Sequence, residues 1–231
     1  MSTQNEILIA LAARRSCRAY KPEQITADEL NAVTAAGTWA PTAMGRQSPL
    51  IVAVQNKADR DELSRLNAAV MGTDSDPFYG APTAVLVLGD KASACAVQDA
   101  SLVLGNMLLA ASSLGLGSCY IGDITENCER QRKLLHLPPY VFPAVMLVFG
   151  FPTEQQKMRK KPERCALSHI VHENAYRAMD ADELRDMLEY QCGGTSYRDW
   201  LHAFCTRKYN SDFAKEMTRS VAAYLRDFEQ E

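Results

Sequence analysis

Three apolar runs of strand length, separated by stretches with helical spacing, restrict this 231-residue chain to a small set of folds. Leu50 to Gln55 is a β-branched run, and Thr83 to Gly89 and Ala144 to Gly150 are the second and third strong ones. Runs of this kind read as buried strands, and a shorter strand is predicted over Ser118–Ile121. A first helix over 5–15 carries Ile7, Leu8 and Leu11 on one face. Thr26-Ala27-Asp28-Glu29 is a capping box ahead of Leu30, Val33 and Gly37. Residues 57–71 are helical through Leu63, Leu66 and Val70. Residues 92–114, from Val97 through Leu102, Leu109 and Leu114, are apolar almost all round, which predicts a central, buried helix. Gly115-Leu116-Gly117 ends it. Asp123 or Thr125 is read as the cap of a helix running to His136, stopped by Pro138-Pro139. Residues 151–165 are polar and basic without periodicity and read as a loop. The helical pattern returns near Asp182 and ends in a stripe of Phe213, Met217, Val221, Tyr224, Leu225 and Phe228. Strands alternating with helices predict a three-layer α/β/α sandwich. Trp39 is read as core.

Bulk properties remove several function classes. The composition is ordinary for a globular protein, 47% hydrophobic and 23% charged. The opening Met1 to Glu6 has no basic segment leading into an apolar one, so no secretory leader is expected. No apolar run approaches the roughly 20 residues that span a bilayer, and no membrane role is expected. Seven cysteines (Cys17, Cys95, Cys119, Cys128, Cys165, Cys192 and Cys205) are scattered, without a Cys-x-x-Cys pair. That argues against a disulfide framework or zinc site and for free thiols in a reducing, cytoplasmic setting. His136, His169, His172 and His202 are dispersed, and no metal ligand is assigned. The formal net charge is −3, yet two clusters are strongly basic. One is Arg14-Arg15-Ser16-Cys17-Arg18-Ala19-Tyr20-Lys21; the other is Lys157, Arg159, Lys160, Lys161 and Arg164. Local cations on a mildly acidic chain point to a specific phosphate rather than to nucleic acid.

Five segments, in order, give the chain a resemblance to the FMN-dependent nitroreductase family. They are Arg14 to Tyr20; Ala40-Pro41-Thr42-Ala43-Met44-Gly45-Arg46-Gln47; Gln98-Asp99-Ala100 to Asn106; Gly115-Leu116-Gly117-Ser118-Cys119-Tyr120-Ile121-Gly122; and Gly150-Phe151-Pro152 with the basic residues ending at Arg164. Singly each is weak; their order makes the pattern specific. The resemblance implies an α+β fold, a nitroreductase-like three-layer sandwich with a mixed central sheet. It implies an FMN-binding domain over 1–175 and a helical C-terminal extension over 176–231, packing on the domain or across a dimer.

The resemblance also implies residue roles. Arg14, Ser16 and Arg164 would hold the FMN phosphate, with Arg15 close by, because guanidinium forks suit a dianionic phosphate. Lys161 and Arg159 compete for a second phosphate cation. Arg18 would sit at the N1/O2 edge of the flavin, where a cation favours reduction. Tyr120, Ile121, Gly122 and Asp123 would line the ring, backbone amides facing N5 and O4. Pro41, Thr42, Ala43 and Gln47 would come from the other subunit, so a homodimer is implied. Phe78, Tyr79 and Gly80, in the loop before the second strand, are the candidates for contacts to substrate. The implied activity is ping-pong hydride transfer from NAD(P)H through flavin N5 to a small planar acceptor: a nitroaromatic, quinone or enone. No side-chain acid, base or nucleophile is demanded, so no catalytic side chain is assigned. The alternatives are a flavin carrier or sensor without turnover and a reductive dehalogenase-like relative. The chain departs from the family pattern at Gly45-Arg46-Gln47-Ser48-Pro49, where Asn and Trp are usual, and at Glu163, an acidic neighbour of Arg164.

Overall fold

The computed structural model of the protein describes residues 5–71 and 75–226. Phe228 and the side chain of Val70, both used in the sequence patterns above, lie outside the described residues. In chain order the elements are α1 (Glu6–Ala13), α2 (Ala27–Thr38), β1 (Leu50–Val54), α3 (Lys57–Met71), β2 (Thr83–Asp90), α4 (Ala96–Ser113), β3 (Gly117–Ile121), α5 (Cys128–Leu134), β4 (Val141–Gly150), α6 (Glu154–Met158), α7 (Ala181–Leu188), α8 (Tyr197–Tyr209) and α9 (Asp212–Arg226). They form two compact units, Met1–Arg159 with Glu216–Glu231, and Lys160–Lys215.

The first unit is built on a four-stranded sheet of order β1-β2-β4-β3. The class is α+β. All three strand pairs run antiparallel; the parallel element among the described residues is the isolated bridge of Ser16 to Ser118. Side chains alternate across the two central strands, as the pleat requires. Val85, Val87, Val145, Leu147 and Phe149 face one core with α2 and α4. Ala84, Leu86, Leu88, Met146 and Val148 face the other with α3, and Leu134 of α5 packs at its border. Helices therefore cover both faces of the sheet.

Several elements differ from expectation for clear reasons. Strand β4 begins at Val141, three residues early, although Pro143 cannot donate to a ladder. The register shifts at Val87/Leu88 opposite this proline, and a bulge is where a sheet tolerates it. The stretch read as a loop after Gly150 contains α6, whose Thr153 hydroxyl caps the Gln156 N–H. The predicted helix from Asp123 or Thr125 is split: a 3-10 turn spans Asp123–Thr125, and Asn127, left-handed at φ 47°, precedes α5. The capping box at Thr26 and Glu29 forms as read.

The larger surprise is what stays uncovered. Helix α1 buries no residue, and Ile7 remains 62% exposed. Helix α4 buries Ala100, Val103, Leu104 and Met107 but leaves Val97, Leu102 and Leu114 exposed. Trp39, expected in the core, is 77% exposed. The all-round apolarity of α4 thus reflects two apolar faces, of which the described residues cover one.

In the second unit, Asp180 and Glu183 form a capping box for α7 and Ser196 caps α8. Tyr197, Trp200 and Phe204 stack along α8 with centroids 6.3 and 5.2 Å apart. The sequence-based boundary after residue 175 lies inside this unit. Helix α9 closes the first unit at its C-terminal end. Tyr224, 3% exposed, packs 5.6 Å from Phe142, and its hydroxyl donates to the Cys128 carbonyl at 3.3 Å.

Candidate functional site

The basic segment after α1 is held by backbone chemistry on both sides. Arg14 closes the helix, its N–H reaching Ala10, and its ψ of 137° turns the chain extended. The Cys17 N–H donates to Ser118 O at 2.8 Å, docking the segment against the start of β3. Contact here is closer than a side chain on β3 would permit. A Cβ on Gly117 would meet Cys17 Sγ at 2.6 Å and Cβ at 2.8 Å, so glycine at 117 sets the approach. The Tyr20 hydroxyl donates back to Cys17 O at 2.9 Å.

On its other side the segment is joined to the region 151–159. Lys21 N–H donates to Phe151 O at 2.8 Å, and Thr153 N–H donates to Ala19 O at 3.2 Å. Gln156, 6% exposed, accepts from the Arg18 N–H at 3.2 Å and donates to Ser16 O at 3.4 Å. The Arg15 guanidinium donates to the carbonyls of Arg159 and Lys157, the latter at 2.6 Å. Those carbonyls lie at the C-terminal end of α6, where unpaired oxygens and the helix dipole favour a cation. Arg15 is therefore engaged in fastening α6.

Arg14 and Ser16 are half-buried and Arg18 is exposed. The Arg18 guanidinium lies 5.8 Å from the centroid of the Tyr79 ring. Partial burial works against its charge, but a hydrogen bond to Tyr79 and the neighbouring Cys119 outweigh it and raise its pKa. Tyr79 sits at φ 57° in a turn organised by Asp76, whose carboxylate accepts from Phe78 N–H at 2.8 Å, Gly80 N–H at 2.6 Å and Ser64 Oγ at 2.6 Å. Of the two aromatics proposed for substrate, Phe78 is 1% exposed and belongs to the core; Tyr79 presents 37% of its surface. Burial pushes the thiols of Cys17 and Cys119 up, although Arg18 lies near enough to pull the other way. Protonated thiols are poor nucleophiles, and both act as packing.

At the far end of β3, Tyr120 is half exposed while the Ile121 side chain is 4% exposed in the core, leaving only its backbone to face outward. Gly122 has an ordinary right-handed conformation, φ −79°. A Cβ there would meet nothing nearer than Tyr120 at 3.8 Å. The chain's own packing does not demand glycine at 122.

The 41–47 loop is organised separately. Asp99, 4% exposed in the first turn of α4, accepts from the Ala43 N–H at 3.1 and 3.2 Å. Thr42 Oγ1 accepts from Gln47 N–H at 3.0 Å, and Met44, Gly45 and Gln47 all have positive φ. Pro41 and Gln47 are exposed, and Thr42 and Ala43 half-buried. Beside this loop, α1, α2 and α4 enclose an apolar groove of about 410 Å³ lined by Ile7, Ala10, Ala36, Trp39 and Leu109. Lys161 and Arg164 belong to the second unit, where Arg164 is exposed. Sequence reasoning missed Gln156 and the pinning role of Asp99. Each is a polar side chain that is buried because its partners are backbone groups distant in sequence.

The α+β sandwich thus carries a cationic segment docked at Ser118 near one end of β3 and an open glycine, Gly122, just past the other. The nitroreductase family model matches residues 11–151, and the chain belongs to that family. It is 27% identical to the FMN reductase [NAD(P)H] of Bacillus subtilis over 95% of this chain and 91% of that protein. It is 31% identical to an NADPH-dependent oxidoreductase of Staphylococcus aureus, over 55% of this chain and only 47% of that protein. Among solved structures, an FMN-bound nitroreductase from Bacteroides fragilis aligns at 29% identity and TM-score 0.63, covering 77% of this chain and all of that one. Bacillus megaterium NfrA2 aligns at 23% identity and TM-score 0.79, covering 96% and 98%, and supports the fold.

Proposed function

We propose that the protein is an FMN-dependent oxidoreductase using NAD(P)H as hydride donor. The names of its B. subtilis and S. aureus relatives and the FMN bound in the B. fragilis structure support that reading. The observation that carries it is the placement of two features along β3. The segment bearing Arg14, Ser16 and Arg18 docks at Ser118, and Gly122 lies open four residues on, about 13 Å away at the rise of a strand. That arrangement fits a ligand with a phosphate at one end and a flat ring at the other.

Bound FMN supplies the redox chemistry. The chain supplies binding and orientation. Arg14 and Ser16 hold the phosphate; Arg15 fastens α6 behind it. Arg18 brings a fixed positive charge to the ring edge. The backbone amides at Gly122 and Asp123 would face N5 and O4 of the ring, with Tyr120 beside it. Tyr79, its ring against Arg18, shapes the space for a planar acceptor. Donor and acceptor take turns in that one space, which is the ping-pong scheme. No chain residue moves a proton in this scheme.

The site is completed by a second copy. The uncovered apolar faces of α1 and α4, together with Trp39, form the homodimer surface, and Pro41, Thr42, Ala43 and Gln47 reach the partner's ring. Helices α7 and α8, which bury no residue fully, make the second unit the part of the C-terminal extension that crosses to the partner.

The test is the visible spectrum of purified protein, followed anaerobically as NADPH and then NADH are added. Flavin absorbance that bleaches supports the reductase. Absorbance that persists with both donors points to a carrier or sensor. No flavin, even after added FMN, removes the reading.

A further inference from the structure

We propose that Gln156 is the positioning residue of this cradle: its carboxamide acts as a surrogate strand edge that fixes Ser16 and Arg18 for the cofactor. This deepens the functional reading above and rests on it. Gln156 is the one buried residue of α6. Its two amide ends both reach the same segment, accepting from the Arg18 N–H and donating to the Ser16 carbonyl. The residue between them faces the other way, the Cys17 N–H donating to Ser118 O. An extended chain presents its polar groups to alternate sides. Here β3 satisfies one side and a single side chain satisfies the other.

Only a group that donates and accepts at this spacing meets both demands. Glutamate would set a lone pair against the Ser16 carbonyl, and methionine, similar in size, would leave both backbone groups unpaired. The Arg15 guanidinium, donating to the carbonyls of Lys157 and Arg159, holds α6 in place so that Gln156 can act. The Arg18 backbone is then fixed by Gln156 and its guanidinium by the Tyr79 ring.

The experiment compares full-length wild type, Gln156→Met and Gln156→Glu. Amide exchange in the unliganded protein is the first readout. Protection of the Arg18 N–H should fall in Gln156→Met while that of the Cys17 N–H, bonded to β3, persists. FMN affinity by fluorescence is the second. Gln156→Met, which loses both bonds, should weaken it at least about tenfold, the scale of a single lost buried hydrogen bond. Combining Gln156→Met with Arg18→Ala should weaken it by less than the two single losses added together, because Gln156 acts in part through Arg18. Gln156→Glu should bind poorly at neutral pH and approach wild type as the pH falls toward about 4, where a protonated carboxyl regains a donor. A general packing role would give additive losses and no such recovery. Unchanged FMN affinity in Gln156→Met, with wild type binding normally, would overturn the positioning role and leave the functional reading intact. If wild type binds no FMN, the functional reading fails and the ligand half of this proposal with it; the Arg18 amide still reports whether Gln156 fixes the backbone.

Discussion

Glu126 is fully buried, and neither carboxylate oxygen has a hydrogen-bond partner. Burial, with Asp123 and Glu216 nearby, pushes its pKa up to about 8. The guanidinium that pairs with Glu216, that of Arg219, is shared with Glu129. Glu126 is therefore protonated in the fold at neutral pH but ionised in the unfolded chain. The unfolded state then binds fewer protons, so stability falls as pH rises. The contribution is whole below about pH 4.5 and is lost by about pH 8. Glu126→Gln should flatten this decline and raise stability near pH 8 by about 2 kcal/mol; parallel pH profiles from urea titrations of the two proteins would contradict it. At Gly117 the sign is opposite. Gly117→Ala forces a Cβ into Cys17 and should lower stability by about 1–3 kcal/mol. It should also weaken FMN binding by lifting the cradle from β3, whereas Gly122→Ala should leave the stability of the unliganded chain nearly unchanged.

At the scale of elements, α9 fastens the end of the chain to the first core through Tyr224. Tyr224→Ala should cost about 3 kcal/mol in denaturant unfolding, and Tyr224→Phe, which loses only the bond to Cys128 O, about 1 kcal/mol. What was legible in sequence follows from element length. Strands β2 and β4 and helices α3 and α4 are long enough for periodicity to outweigh noise. Helix α6 has five residues, too few to show a repeat, so Gln156 reads as one more polar residue in a basic loop. The Arg14–Arg18 segment was legible because its composition is unusual. The engagement of Arg15 with α6 was not, because its partners are carbonyls, which every residue carries. Trp39 and α4 were misjudged for a related reason. Apolarity alone does not tell which faces of a helix the rest of the chain packs against.

For the whole molecule, the uncovered apolar surface on α1, α4 and Trp39 makes the assembly testable without disturbing the fold of one chain. Ile7→Asp with Trp39→Asp alters only exposed side chains. If the proposed homodimer forms through this surface, sedimentation should find a monomer with an unchanged far-ultraviolet spectrum, and FMN affinity should drop with loss of the 41–47 loop proposed to reach across it. A dimer that survives both charges would place the interface elsewhere.

The bonds from Arg15 to Lys157 and Arg159 join groups 142 and 144 residues apart. During synthesis, at about 5–20 residues per second, the first half of the cradle therefore waits roughly 7–30 s for the second to leave the ribosome. The cofactor cannot template the early chain. If the proposed site holds, capture waits until residue 159 of the 231 has been made, and a message cut short before α6 should yield a polypeptide that binds FMN poorly.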